Sequence, residues 1–329
     1  MSHAPETAVL LVNLGTPAAP TAAALRRYLG EFLSDRRVIE APPVIWQPIL
    51  RGVVLRTRPR RSAEAYEKIW LADGSPLLVY SRRLQAALHT HLGERCDRPV
   101  AVALGMRYGE PAIDHVLDQL LELGCRRLLV LPLYPQQSAT TTASTFDAIA
   151  RHFRTRRRLP ALRFIDSYHA EPGYIEALAA SVRSYWQRHG RPDRLLLSFH
   201  GIPEGYVAKG DPYAGQCRET AHLLAAALDL PDTAWQLTFQ SRFGPTRWLE
   251  PYTDVTVRAL GAQGLGRVDV LCPGFPADCL ETLEEIAMQN AEFFRQAGGG
   301  ALHYIPALND DPAHVAALGT LLTRELAGW

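Results

Sequence analysis

At 329 residues with 47% hydrophobic content, the chain carries enough apolar material for two cores, each of a domain of about 150 residues. Lys and Arg number 35 against 34 Asp and Glu, and the formal net charge of +1 excludes a protein whose main partner is nucleic acid. The five cysteines, Cys96, Cys125, Cys217, Cys272 and Cys279, are odd in number and lack Cys-x-x-Cys spacing, so they read as reduced thiols in a cytoplasmic protein without structural zinc. The apolar run Ala8–Leu14 has no basic lead and is too short for a signal peptide. No stretch approaches the roughly 18 apolar residues of a spanning helix. The expectation is a soluble chain that at most rests on a membrane.

Taken in order, short apolar runs bounded by turn residues alternate with helical patterns. Strands are expected at Ala8–Leu14, Val100–Leu104, Arg127–Leu133 and Leu162–Ile165, then at Arg194–His200, Trp235–Phe239, Val268–Cys272 and Ala301–Tyr304. Helices are expected at Thr21–Leu33, Ser62–Leu71, Ser81–Leu92, Ala112–Leu123 and Thr142–Arg154. In the second half they fall at Pro172–His189, Gln216–Leu228, Thr253–Ala262, Asp278–Ala297 and Pro312–Leu326. Strands separated by helices imply βαβ units and parallel sheets.

The two halves resemble each other. Leu11-Val-Asn-Leu14-Gly-Thr-Pro17 matches Leu197-Ser-Phe-His200-Gly-Ile-Pro203, and Met106-Arg-Tyr-Gly109 matches Ser241-Arg-Phe-Gly244. A third match sets Leu131-Pro-Leu-Tyr-Pro135 against Cys272-Pro-Gly-Phe-Pro276. The reading is an α/β protein of two similar Rossmann-like, doubly wound parallel-sheet domains, residues 1–167 and 168–329, facing across a cleft built from strand ends. The last helix is a candidate to pack back on the first domain. The first copy carries an extra segment near residues 35–80, whose Trp46, Val53, Val54, Leu55 and Trp70 mix with Arg51, Arg56, Arg58, Arg60 and Arg61. Such a mixture suits a cleft lip, a membrane contact or an ordinary packed insertion.

Three clusters carry the candidate chemistry. His200 ends an apolar strand, where open α/β sheets bind ligands, although a lone histidine there is more often a satisfied side chain. Leu14 occupies the equivalent place in the first half, so one wall is apolar and the other offers an imidazole. Asp278 and Glu281 have capping-box spacing and can simply start a helix. Glu281 and Glu285, at i and i+4, also share a helix face and form a carboxylate pair able to relay protons or attract a dication. The third cluster, Tyr134-Pro-Gln136-Gln-Ser138-Ala-Thr-Thr-Thr142, suits either a helix cap or carboxylate binding. No Gly-x-Gly-x-x-Gly, Walker A or Gly-x-Ser-x-Gly motif is present, which removes the main support for dinucleotide, nucleotide and serine-hydrolase readings.

At this point the motifs are similar to those of the ferrochelatase family. The resemblance runs from Leu11-Val-Asn-Leu-Gly-Thr-Pro17 through Gly74-Ser-Pro76, Met106-Arg-Tyr108 and Tyr134-Pro-Gln136. It continues through Ser198-Phe-His-Gly-Ile-Pro203, Gly210-Asp-Pro-Tyr213, Gln240-Ser-Arg-Phe-Gly-Pro245, Trp248-Leu249 and Asp278-Cys-Leu-Glu281-Thr-Leu283. It implies insertion of Fe²⁺ into protoporphyrin IX as the last step of haem synthesis, with His200 and Glu281 facing the macrocycle centre as the catalytic and metal-handling pair. Imidazole and carboxylate suit Fe²⁺, and a neutral imidazole suits a pyrrole proton. Asp278 and Glu285 would supply a metal path or proton relay. The porphyrin would meet Leu14, Arg107, Tyr108, Pro203 and Trp248, with Tyr134, Gln136 and Ser138 at the cleft edge and Ser75 and Arg58 on the propionates.

The resemblance is to a short bacterial form. No tightly bound cofactor is expected: Fe²⁺ is substrate, and no cysteine-bearing tail for an iron–sulfur cluster follows. Cys279 stands where some relatives have a second histidine, and Leu14 where some have a ring-contacting Tyr or Met. The expected partners are protoporphyrin IX and ferrous iron, with no nucleic acid, and the expected state is a cytoplasmic monomer with a peripheral contact on the inner membrane face through the 35–80 lip left open. The rivals are a coproporphyrin chelatase, a cobalt chelatase of the same fold, for which only one histidine is placed, and a non-catalytic porphyrin carrier.

Overall fold

The computed structural model describes residues 5–329. It contains eight strands: β1 (Thr7–Gly15), β2 (Val100–Tyr108), β3 (Arg127–Pro132), β4 (Ala161–Phe164), β5 (Arg194–His200), β6 (Trp235–Gln240), β7 (Arg267–Leu271) and β8 (Ala301–Tyr304). The helices of the first half are α1 (Ala22–Phe32), α2 (Pro43–Ile49), α3 (Leu55–Glu67), α4 (Pro76–Arg95), α5 (Ile113–Glu122) and α6 (Ser144–Phe153). Those of the second half are α7 (Pro172–His189), α8 (Glu204–Ala208), α9 (Tyr213–Ala227), α10 (Thr253–Ala262), α11 (Ala291–Gln296) and α12 (Pro312–Leu326). Three further segments, Leu50–Val54, Ala139–Ala143 and Glu281–Asn290, are π-helical. Such i→i+5 segments gather at functional sites.

Two compact units result. The first comprises residues up to Tyr134 with Ser138–Ser167 and Asp310–Trp329; the second comprises Pro135–Gln137 and Tyr168–Asn309. Each holds one four-stranded, all-parallel sheet, of order β2-β1-β3-β4 in the first and β6-β5-β7-β8 in the second. Central strands with helices on both faces read as unbroken apolar runs, and Ala8 to Val12 and Leu195 to Leu197 are buried accordingly. In the first unit Leu10, Val12 and Val130 pack on Val116 and Leu120 of α5 and Ile149 of α6. In the second, Leu196 and Val270 pack on Val257 and Leu260 of α10 and on Ile286 and Phe294. Each such side chain contributes about 1.5–3 kcal/mol on burial.

The strand registers place the repeat exactly where the sheet pairs, and they shift two of the matches read from sequence. Leu11 pairs with Leu104 and Leu131, and Leu197 pairs with Leu237 and Leu271, so Leu14 and His200 are equivalent. Met106 donates to the Pro111 carbonyl (2.6 Å) and Phe239 to the Pro251 carbonyl (2.8 Å). Arg107 is therefore the counterpart of Gln240 rather than of Arg242, because the second unit inserts a loop carrying Trp248 before its Glu-Pro step. Leu131 likewise corresponds to Leu271 rather than Cys272. The lip segment differs from expectation in its helices: α2 lies where no helix is expected, and α3 begins at Leu55 rather than Ser62; Pro43 sits in the first turn of α2, where no intrahelical donor is needed.

Candidate active site

In the second unit, β5 delivers a half-buried His200 at its carboxyl end. Its Nδ1 lies 2.6 Å from the Gly201 carbonyl oxygen, which can only accept, so Nδ1 carries the proton and Nε2 keeps a lone pair whenever the ring is neutral. The loops after β5 and β6 are zipped together: Leu249 donates to the Ile202 carbonyl and Glu204 to the Arg247 carbonyl, both at 3.0 Å. This pairs Pro203 with Trp248 and lays the indole 6.5 Å from the imidazole, centroid to centroid. Phe275 lies tilted beside the imidazole at 6.3 Å, and Phe243 lies tilted against Trp248 at 5.0 Å.

The carboxylates come from the π-helical segment Glu281–Asn290. Ser198 donates to Gln240 Oε1 (2.7 Å), which fixes that amide so that Nε2 donates to the Glu281 carbonyl (2.9 Å). The next residue, Ser241, takes φ +67, a region that a residue with a Cβ rarely adopts. That conformation turns both its N–H (2.8 Å) and its hydroxyl (2.5 Å) onto the Glu285 carboxylate. Burial pushes the Glu285 carboxyl above its ordinary range, opposed by the Ser241 hydroxyl and the charge of His200 and assisted by Glu281. Burial and the adjacent Glu281 carboxylate also push the Cys279 thiol up, so Cys279 is held protonated.

Asp278, expected in a relay, is held in a dense set of hydrogen bonds. Its Oδ1 accepts from Tyr304 (2.6 Å) and Thr282 (3.0 Å), and its Oδ2 accepts from Asn309 (2.8 Å). These bonds tie the start of the segment to the chain after β8. Gln136, expected at the cleft edge, is also in this unit, where it is buried and donates to Thr220 (2.9 Å).

The remaining candidates belong to the first unit. Leu14 is half-buried at the end of β1, and Arg58 is exposed on α3. Ser75, expected near a propionate, is only 1% exposed, and its hydroxyl accepts from the Leu78 N–H at 3.3 Å and caps α4. Ser138 is buried in the same way, capping the π turn through Thr140 (3.2 Å). Arg107 and Tyr108 meet Asp35 and Ser144, a cluster that composition and spacing did not reveal, because its members lie far apart in sequence. The buried Tyr134 hydroxyl has no hydrogen-bond partner, and burial pushes it up. Gln240, Ser241 and Phe275 were also missed as site residues, although the first two lie inside a recognised motif. Among the described residues, no group of three or more His, Cys, Asp and Glu side chains is disposed to hold a metal ion.

A ferrochelatase family model matches residues 6–326. The chain belongs to the ferrochelatase family. It is 57% identical over 321 residues to the ferrochelatase of Thioalkalivibrio sulfidiphilus, an alignment covering 98% of this chain and 87% of that one. It is 52% identical to the ferrochelatase of Aeromonas hydrophila subsp. hydrophila, covering 98% and 99%. Among solved structures it resembles SirB from Bacillus subtilis with Fe³⁺, with TM-score 0.57, 12% identity and 98% and 96% of the two chains covered. At that identity the likeness establishes the two-domain α/β chelatase fold alone. Within the family, the site just described falls on the Ser-x-His and Asp-Cys-Leu-Glu motifs.

Proposed function

We propose that this ferrochelatase-family enzyme, which inserts Fe²⁺ into protoporphyrin IX to form protohaem, uses His200 and Glu281 as its proton- and metal-handling pair, with Glu285 as the proton carrier behind them. Two pyrrole protons must leave as the metal enters. The single observation that carries the reading is the His200–Gly201 hydrogen bond, which reserves the Nε2 lone pair for an incoming proton or metal. Imidazole and carboxylate bind ferrous iron with intermediate strength, so they can surrender it to four ring nitrogens. The protonation steps belong to the pair rather than to either residue. Burial raises the Glu285 carboxyl above its ordinary range, and the charges of His200 and Glu281 both act on it, which supports a proton-carrying role.

Trp248, Phe275 and Pro203 supply flat apolar surface beside the imidazole, and Leu14, Arg107, Tyr108 and Tyr134 are proposed as further porphyrin contacts. Arg58, exposed on α3, is proposed to meet a propionate. The exposed side chains Val44, Ile45, Ile49 and Val53, interspersed with Arg51 and Arg56, support peripheral contact with a lipid surface, from which an apolar porphyrin is drawn. Among the described residues, no helix is long and apolar enough to cross a membrane. The expected outcome for Glu281→Gln is unchanged porphyrin affinity with insertion of Fe²⁺ or Zn²⁺ at least about a hundredfold slower. Normal insertion by that variant would overturn the assignment.

A further inference from the structure

Arg107 and Tyr108 leave the end of β2 with almost all their polar capacity spoken for. The Arg107 guanidinium gives Nε to the Ser144 hydroxyl (2.7 Å) and carbonyl (3.0 Å), and Nη2 to Asp35 Oδ2 (2.5 Å). Tyr108 donates to the same Oδ2 (2.8 Å), as does the Ser144 hydroxyl (2.6 Å), while Asp35 Oδ1 accepts from the Arg37 N–H (2.8 Å). Asp35 and Arg107 side chains are 10% and 9% exposed. Among the described residues, Nη1 of Arg107 carries no hydrogen bond. Two corners of the guanidinium fork are thus locked and one is left for a ligand, which is the arrangement of a preorganised carboxylate clamp.

We propose that Asp35 is a positioning residue for porphyrin binding: it fixes Arg107 and Tyr108 and, through the same carboxylate, holds the base of the segment that leads into α2 and α3. The inference rests on the reading of Arg107 and Tyr108 as ring contacts. Its grounds are the four donors converging on one carboxylate and the place of Asp35 just beyond α1, where the Trp46 indole donates to the Leu33 carbonyl (2.6 Å); the neighbouring Arg37–Asp147 pair (2.7 Å) is exposed and lies outside that cluster. Burial opposes the charge on Asp35, yet the hydrogen bonds from Ser144, Arg37 and Tyr108 and the charge of Arg107 hold its carboxyl below the usual range, so the clamp stays ionised at neutral pH.

The test compares Asp35→Asn, Asp35→Glu, Arg107→Ala and the double variant Asp35→Asn/Arg107→Ala, with Asp147→Asn as the control, in steady-state insertion with each substrate varied in turn. Asp35→Asn is expected to raise the KM for protoporphyrin about tenfold while leaving the KM for the metal unchanged, and Asp35→Glu is expected to recover part of that loss. The double variant is expected to be no worse than Arg107→Ala, and Asp147→Asn is expected to behave as wild type. A lowered melting temperature with both KM values unchanged, or additive effects in the double variant, overturns the inference. If instead Arg107→Ala leaves the porphyrin KM unchanged, the reading of Arg107 as a ring contact fails. Should Asp35→Asn not fold, Asp35→Glu and Ser144→Ala carry the same comparison.

Discussion

At the residue scale, the site separates groups that the sequence presents as alike. Four carboxylates fall within eight residues, yet Asp278 is consumed by hydrogen bonds, Glu281 is half-buried beside Cys279, Glu284 is buried and accepts from Gln289, and Glu285 is half-buried on Ser241. The consequence for Glu285 can be given a sign. Its folded pKa lies above the unfolded one, so its stabilising contribution is full below the unfolded value and is lost as pH rises through the folded value. Glu285→Gln keeps the shape and an acceptor for Ser241 without the charge. It is expected to melt no lower than wild type at pH 8, to lose any advantage towards pH 4, and to insert metal at least about tenfold more slowly; thermal melts across that range with parallel rates check it. Asp35 has the opposite sign: its folded pKa is lowered, so its contribution is present above the unfolded pKa and disappears as pH falls through the folded one. The carboxylate motif and the strand-end histidine were legible because each is local. The roles of Asp278 and Asp35 were not, since both depend on partners brought from distant strands and helices.

At the element scale, all eight strands were legible as apolar runs, and most helix ends fell within a few residues of expectation. The lip helices were obscured by their prolines, and the form of the 281–290 segment was not encoded in any spacing rule: it was read as an ordinary α-helix, whereas it opens into π geometry before α11. The repeat was legible in its strand runs and misregistered at two strand ends, by two residues at Met106 and by one at Leu131. One glycine shows how tightly the strand ends are drawn together. Gly15 has φ +105, and a Cβ there would lie 1.7 Å from the Tyr108 carbonyl oxygen. Gly15→Ala is therefore expected to destabilise the fold by about 3 kcal/mol or more. Gly93→Ala, in α4 with nothing near its Cβ, is expected to be neutral or to stabilise by up to about 1 kcal/mol. Urea titration of the two variants against wild type measures the contrast.

At the scale of the whole molecule, chain order and compact unit part company. α12 follows β8 in sequence but belongs to the first unit, and α7 follows β4 but belongs to the second. Each half of the repeat thus surrenders its last helix to the other unit, which no periodicity in the sequence announces. Within the first unit α12 approaches α4 closely: a Cβ on Gly319 would stand 2.3 Å from the His91 ring. Gly319→Leu is expected to cost about 2–4 kcal/mol and to raise hydrogen exchange in α4 peptides while peptides from β5 and β7 are unchanged. The functional claim, in contrast, rests on one imidazole nitrogen in the second unit. The measurement that tests it most directly is anaerobic single-turnover insertion of Fe²⁺ into protoporphyrin IX, following loss of the free-base spectrum in wild type and in His200→Ala. The account predicts rapid insertion by wild type and a loss of at least about a hundredfold in the variant, with porphyrin still bound. Wild-type rates in His200→Ala would contradict it.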